Sequence, residues 1–280
     1  MLKGSITIRN FGPIRDAHID EIHPFTILIG ESASGKSTIL KVVALFRYIY
    51  KMLNIRFYLK NANIDKSPFR IRLKDYFKAN PLDEYVKPNS EIAYTVTVNG
   101  NKYELIYANG KLKNPKAMQD EDLVFFKGSF ISENRNIIPT WAAKASNNRG
   151  ASLGFYFHET YHDFDDATNL IDEIKLNYLN LKFQVRKVNG KKKFTVSDSG
   201  KTYSPVDLRA ASSGVQTSVP LLAITRYYAH DFDFKQALRR SVLSYLYDTD
   251  RLLKFQPQVE LNKLARYVHL HVEVTCGAKA

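Results

Sequence analysis

Gly30-Glu31-Ser32-Ala33-Ser34-Gly35-Lys36-Ser37 carries the clearest chemistry in the chain. The spacing is Gly-x-x-x-x-Gly-Lys-Ser. Glycine adopts backbone angles that other residues resist, so such a loop can close round an anion with its N–H groups turned inward. A helix starting at its end adds the positive end of a peptide dipole. Lys36 is placed to bridge β- and γ-phosphates, and the Ser37 hydroxyl to ligate Mg²⁺. The expected ligand is ATP with Mg²⁺, held by Gly30, Glu31, Ser32, Ala33, Ser34, Gly35, Lys36, Ser37 and Thr38.

Two later runs could complete such a site. In Ser212-Ser213-Gly214-Val215-Gln216 the Ser213 hydroxyl can donate a hydrogen bond and Gly214 permits close backbone approach, just before an apolar helix pattern. The same residues also suit an ordinary helix N-cap. In Val268-His269-Leu270-His271-Val272-Glu273, Glu273 stands where a Mg²⁺-holding carboxylate belongs, or is simply a strand-end residue. His269 and His271 read as structural, because no third ligand follows at metal spacing. Cys276 is the single cysteine, which excludes an internal disulfide framework and an all-cysteine metal site.

The elements that must position these residues are legible from periodicity. Ile6-Thr7-Ile8 and residues 14–19 read as strands about an Asn10-Phe11-Gly12-Pro13 turn. Phe25-Thr26-Ile27-Leu28-Ile29 is a continuous apolar run, as expected of a strand buried on both faces. A helix follows from Lys36 to about Leu53, with Ile39, Leu40, Val43, Leu45 and Phe46 on its buried face. Residues 54–90 are basic, aromatic and interrupted by prolines, and read as an inserted segment of short helices. Residues 91–108 alternate about Asn99-Gly100, a strong hairpin signal. A strand is expected over 123–131, helix over 139–178 with Ile171, Ile174, Leu176 and Leu179, and a second hairpin over 181–197 about Asn189-Gly190. Helix is expected from Ser213 through Val219, Leu221, Leu222 and Ile224, and again over 233–266; residues 267–274 read as a short strand.

Several runs resemble the ABC-type heads of the SMC and RecF group, and in detail the smaller AAA ATPases of bacterial defence. Ile8-Arg9-Asn10-Phe11 resembles the first strand, which the resemblance places near the adenine, at Asn10 and Phe11. Ser132-Glu133-Asn134-Arg135 resembles an Ile-Pro-x-Glu-Arg stretch. Ser212, Ser213, Gly214 and Gln216 resemble the ABC signature, which contacts the γ-phosphate held by a second copy and so implies a head-to-head dimer. The signature run from Arg209 to Thr217, the basic insertion and the aromatic-rich tail are most similar to the PtuA ATPase family of Septu and retron systems. That similarity implies an HNH-type nuclease, PtuB, as partner, and in retrons a reverse transcriptase with its RNA/DNA product. The implied fold is α/β: an ABC/SMC-like P-loop head over 1–280 with an N-terminal antiparallel β-subdomain, a basic insertion at 54–90 and a signature-helix lobe at 205–266. Such a head needs a second carboxylate, a Pro-Glu and a switch histidine after Glu273. The sequence given ends at Ala280 without them, so an incomplete or degenerate head is expected, one that binds ATP and turns it over slowly. A RecF-like repair ATPase and a non-hydrolysing scaffold are the alternatives.

A net charge of +13 favours a polyanionic partner, nucleic acid first. Cations interleaved with Tyr58, Phe69, Tyr76 and Phe77 over 51–78, and Lys182, Arg186, Lys187, Lys191, Lys192, Lys193 and Lys201, are the candidate contacts; a solvated basic face is the other reading. No apolar run is long enough for a membrane helix, and the opening residues enter a strand pattern at once, so a cytoplasmic protein is expected.

Overall fold

The computed structural model describes residues 3–61, 71–124, 126–131, 133–143, 155–198, 200 and 204–233. Its backbone divides into two units, the second being Ser129–Phe232 and the first holding the residues before and after it. Among the described residues no helix is long and apolar enough to cross a membrane.

The first unit is an antiparallel sheet with a long helix. β1 (Lys3–Phe11) turns at Gly12-Pro13 into β2 (Ile14–Ile19), pairing Ile6 with Ile19 and Phe11 with Ile14. Its other edge takes β3 (Val86–Val98), followed by β4 (Asn101–Ala108) and β5 (Lys111–Lys113), in the order β2-β1-β3-β4-β5. Ile6, Tyr94 and Leu105 line up across three strands, and Ile8, Ile92 and Tyr107 beside them; all six are buried. This is the period-two pattern made into one apolar face. Asn99 and Gly100 both have positive φ, 49° and 88°, the backbone a two-residue hairpin turn requires. The turn is tied down by the buried Asp122 carboxylate, which accepts from Asn99 Nδ2 at 3.0 Å, Asn101 Nδ2 at 2.7 Å and the Tyr103 hydroxyl at 2.5 Å. Burial acts to raise the Asp122 pKa, but those three donors outweigh it and hold the carboxyl below the ordinary range. α1 (Lys36–Asn61) buries Val42, Leu45, Phe46, Ile49 and Leu53 at helical spacing, and the Phe46 ring meets Tyr94 edge-on at 6.3 Å. Short α2 (Leu73–Ala79) adds Leu73 and Phe77 to the core.

The second unit packs helices on one face of a four-stranded sheet, β6 (Glu173–Leu176), β7 (Leu181–Val188), β8 (Lys191–Asp198) and β9 (Val206–Asp207), in that order. Ile174, Leu176, Phe183, Val185, Phe194 and Val196 point from the sheet into a core shared with Ile138 of α3 (Ile138–Ala143), with Phe157, Phe164 and Ala167 of α4 (Phe155–Leu170), and with Val215, Val219, Ala223 and Ile224 of α5 (Ser213–Arg226). Past α5, the Tyr228 hydroxyl donates to buried Asp163 of α4 at 2.7 Å. Burial, with that carboxylate beside it, pushes the Tyr228 phenol well up, so it stays a donor.

The α/β class and the N-terminal antiparallel sheet are as the sequence implies, and both Asn-Gly hairpins form where expected. Five expectations fail. Residues 25–29 pair with no strand among the described residues; Phe25, Ile27 and Ile29 are 81%, 65% and 91% exposed. An apolar run records a demand for burial, and a ladder also requires a partner strand. Residues 123–131 form no strand among those described, and part of that stretch holds the core side by accepting and donating at fixed points, as where Val124 N–H donates to Asn54 Oδ1 at 2.7 Å. Residues 173–176 form β6 rather than helix, because pairing Ile174 with Phe183 puts both side chains in the core. α1 runs eight residues past Leu53 to Asn61, and β3 begins at Val86, ahead of the expected strand pattern from residue 91. Leu40 is 49% exposed, its place in the core taken by Val42. The expected helix over 233–266 and strand over 267–274 lie outside the described residues save Asp233.

Candidate nucleotide-phosphate site

The loop is built on the turn between β1 and β2. A side-chain carbon added to Gly35 would stand 3.1 Å from Ile14 Cγ1 and 3.4 Å from Pro13 Cγ, so the loop backbone lies against that turn. Gly35 has φ +93° and Ala33 φ +64°, the left-handed angles that fold the chain back on itself before the helix. Ser34 N–H closes a turn on Glu31 C=O at 3.3 Å, and Ile39 N–H makes the first helical bond, to Gly35 C=O at 2.9 Å. The N–H groups of Lys36, Ser37 and Thr38 therefore open the helix without intrahelical acceptors. α1 has no acidic residue in its first turn, so nothing on the helix competes for its positive end.

The Lys36 ammonium sits inside the loop. It donates to Gly30 C=O at 2.8 Å, Glu31 C=O at 2.5 Å and Ser34 Oγ at 3.3 Å. A cation at the focus of a ring of backbone, beside a helix N-terminus, is what a polyphosphate binds. Residues 30–34 and Ser37 are exposed, so Ser37 is open to a metal-bound phosphate. Thr38 is buried at 6% exposure, and its side chain faces the protein rather than the loop opening.

The other predicted positions separate. Phe11 is fully buried, with its ring 5.5 Å from Phe77 and 6.1 Å from Tyr85. It cannot lie against an adenine; it supports the turn under the loop. Asn10, at φ +51° in a register shift of β1, accepts from Ser90 Oγ at 2.5 Å and donates to Asn89 C=O at 3.4 Å. Pro13 and Ile14 are the positions the sequence reading missed as floor of the loop. Their signal was the Phe-Gly-Pro-Ile turn itself, which says nothing about what it supports.

Ser212 to Gln216 belong to the second unit. Ser212 is the N-cap of α5, its Oγ accepting from Val215 N–H at 3.5 Å. Gln216 folds back to donate to Arg209 C=O at 3.0 Å and Ala211 C=O at 2.8 Å, which pins the approach to the helix. Arg135 Nε donates to Thr217 C=O at 3.2 Å, a brace on the same first turn. Ser213 and Gly214 are exposed, and a side-chain carbon added at Gly214 would meet nothing within 4 Å. The helix start is thus a cap and an open surface at once. Among the described residues no cluster of His, Cys, Asp or Glu could hold a metal ion, and Glu273 lies outside them.

Of the aromatics singled out over 51–78, Tyr58 and Phe77 are core at 2% exposure, and Tyr76 is half-buried and packs on Tyr48 at 5.7 Å; Phe69 lies outside the described residues. Among the described residues, Tyr58 and Phe77 therefore offer no stacking platform for bases.

No curated protein matches the chain. The family model of the AAA ATPase domain matches residues 1–244, which span the phosphate loop and α5 alike, and the chain belongs to that family, whose domains bind ATP.

Proposed function

We propose that this chain is a nucleotide-gated subunit: ATP with Mg²⁺ binds at Gly30 to Ser37, and two copies pair head to head through Ser212 to Gln216. In this reading the paired state controls a separate HNH-type nuclease, PtuB, in anti-phage defence, with a reverse transcriptase and its product as further partners where the system is a retron. The observation that carries the nucleotide half is the Lys36 ammonium held by three loop oxygens at the start of α1. Phosphate oxygens would take over those hydrogen bonds and add charge. The exposed Ser213 and Gly214 at a capped helix N-terminus support the pairing half. The defence role rests on the likeness of the run from Arg209 to Thr217 to that family.

Lys36→Ala tests the nucleotide half. Hydrogen bonds to charged groups are worth about 1.5–3 kcal/mol each, and bridging two phosphates uses two, so affinity for MgATP should fall by about 100-fold or more. Calorimetric titration of wild type and variant measures it. Equal affinities would overturn the reading.

A further inference from the structure

Among the described residues of the second unit, helices cover one face of its sheet only. Alternation along its strands puts Lys175, Lys182, Gln184, Arg186, Lys193 and Glu173 on the other face, with Asp207 beside Thr195 at the β9 edge. Its two acids are already engaged. Asp207 takes Arg209 in a bidentate pair, Nε at 2.8 Å and Nη2 at 2.7 Å, and Glu173 takes Lys182 at 3.1 Å. Arg186, Lys187, Lys191 and Lys193 are exposed and have no ion-pairing carboxylate among the described residues.

The register sharpens this. Arg186 lies directly opposite Lys193, and Lys187 opposite Lys192. Like charges facing each other across a ladder cost stability. The Lys187/Lys192 pair is relieved, because Lys192 leans onto α4 and bonds Asp165 Oδ1 at 2.7 Å, Asp165 C=O at 2.8 Å and Thr168 Oγ1 at 3.0 Å. Among the described residues Arg186 only donates to Gln184 Oε1 at 3.4 Å, and Lys193 feels the Asp207 carboxylate without pairing with it. So the run Lys191-Lys192-Lys193 splits: its middle member is structural, and the outer two are exposed charge at a hairpin end.

We infer that this cationic sheet face and hairpin end bind the phosphate backbone of double-stranded nucleic acid. Two observations select the duplex. The outward positions named above and Val188 include no aromatic side chain, so the face offers cations without a surface for unstacked bases to lie on. Same-face residues along one strand stand about 7 Å apart, which spaces the cations regularly, as a densely charged and regular backbone requires. A single strand is bound with a weaker salt dependence per contact, about 0.7 against 0.9 in slope. This inference does not rest on the nucleotide reading, and Lys36→Ala should leave it untouched.

The test is fluorescence anisotropy without nucleotide, using a labelled mixed-sequence duplex of about 20 base pairs and the matching single strand, over a salt series. Wild type should bind the duplex more tightly than the single strand. The double variant K191Q/K193Q should flatten the log–log salt slope by about 1.8 and lower affinity at least about tenfold at low salt. Both side chains are exposed, so its circular dichroism should match wild type. K192Q should instead lower the denaturation midpoint and leave the salt slope unchanged, because its ammonium is held by Asp165 and Thr168 rather than by a phosphate. Failure of wild type to bind duplex, a preference for the single strand, or a slope unchanged in K191Q/K193Q would each overturn the inference.

Discussion

Gly35→Ala adds one methyl group where the phosphate loop rests on the β1–β2 turn. Gly35 has φ +93°, and a left-handed backbone costs an L-residue roughly 1–2 kcal/mol. The new carbon would stand 3.1 Å from Ile14 Cγ1. Ile14 is 5% exposed and paired to Phe11, so it cannot swing aside freely, and overpacking adds about 1 kcal/mol or more. Reduced freedom of the unfolded chain returns about 0.4–1 kcal/mol, which leaves a net cost of roughly 1–3 kcal/mol. That cost appears as a lowered urea midpoint if the loop stays in place, or as about 5- to 150-fold weaker MgATP binding if the loop shifts off the turn instead. Denaturation followed by circular dichroism and calorimetric titration together capture both routes. Gly214→Ala is the companion: its added carbon meets nothing within 4 Å, its φ is not positive, and it lies in a helix, so it should be neutral or slightly stabilising. If Gly35→Ala matched wild type in both midpoint and affinity, the loop would not be seated on Ile14 and the site as described would be wrong.

Two further perturbations probe other links. Asp122→Asn replaces a carboxylate that only accepts with a group that also donates, facing three donors, and should cost about 2–3 kcal/mol at neutral pH. Because the folded Asp122 pKa is depressed, wild type holds this stability above the unfolded value near pH 4 and loses it as pH falls through the folded value. The gap between wild type and Asp122→Asn in urea midpoint should therefore narrow on acidification, and a gap that stays constant down to about pH 2.5 would refute the assignment. Gly214→Asp should leave monomer folding intact, since the position is open, and impair pairing in MgATP, because it sets a carboxylate where a partner's γ-phosphate would lie. Light scattering with and without MgATP decides this, and equal pairing of the two proteins would reduce Ser212 to Gln216 to a helix cap.

Local chemistry was legible in the sequence wherever the residues concerned are neighbours along the chain. The glycine spacing of 30–37, the Asn-Gly turns at 99–100 and 189–190, and the Ser212 cap all rest on backbone angles and hydrogen bonds that span a few residues, and the structure forms each of them. What depends on a distant partner was decided by the tertiary structure alone. Phe11 reads as a ligand contact in a motif, but the rings of Phe77 and Tyr85 enclose it. Ile174 and Leu176 fit a helical count until pairing with β7 turns them into a strand. Lys191, Lys192 and Lys193 are identical in sequence terms, and only the approach of Asp165 on α4 makes the middle one structural and leaves the outer two as surface charge. Composition determines how much apolar surface and charge the chain carries; which neighbour covers or neutralises each group is a property of the fold, because burial and ion pairing are made by residues far apart in sequence.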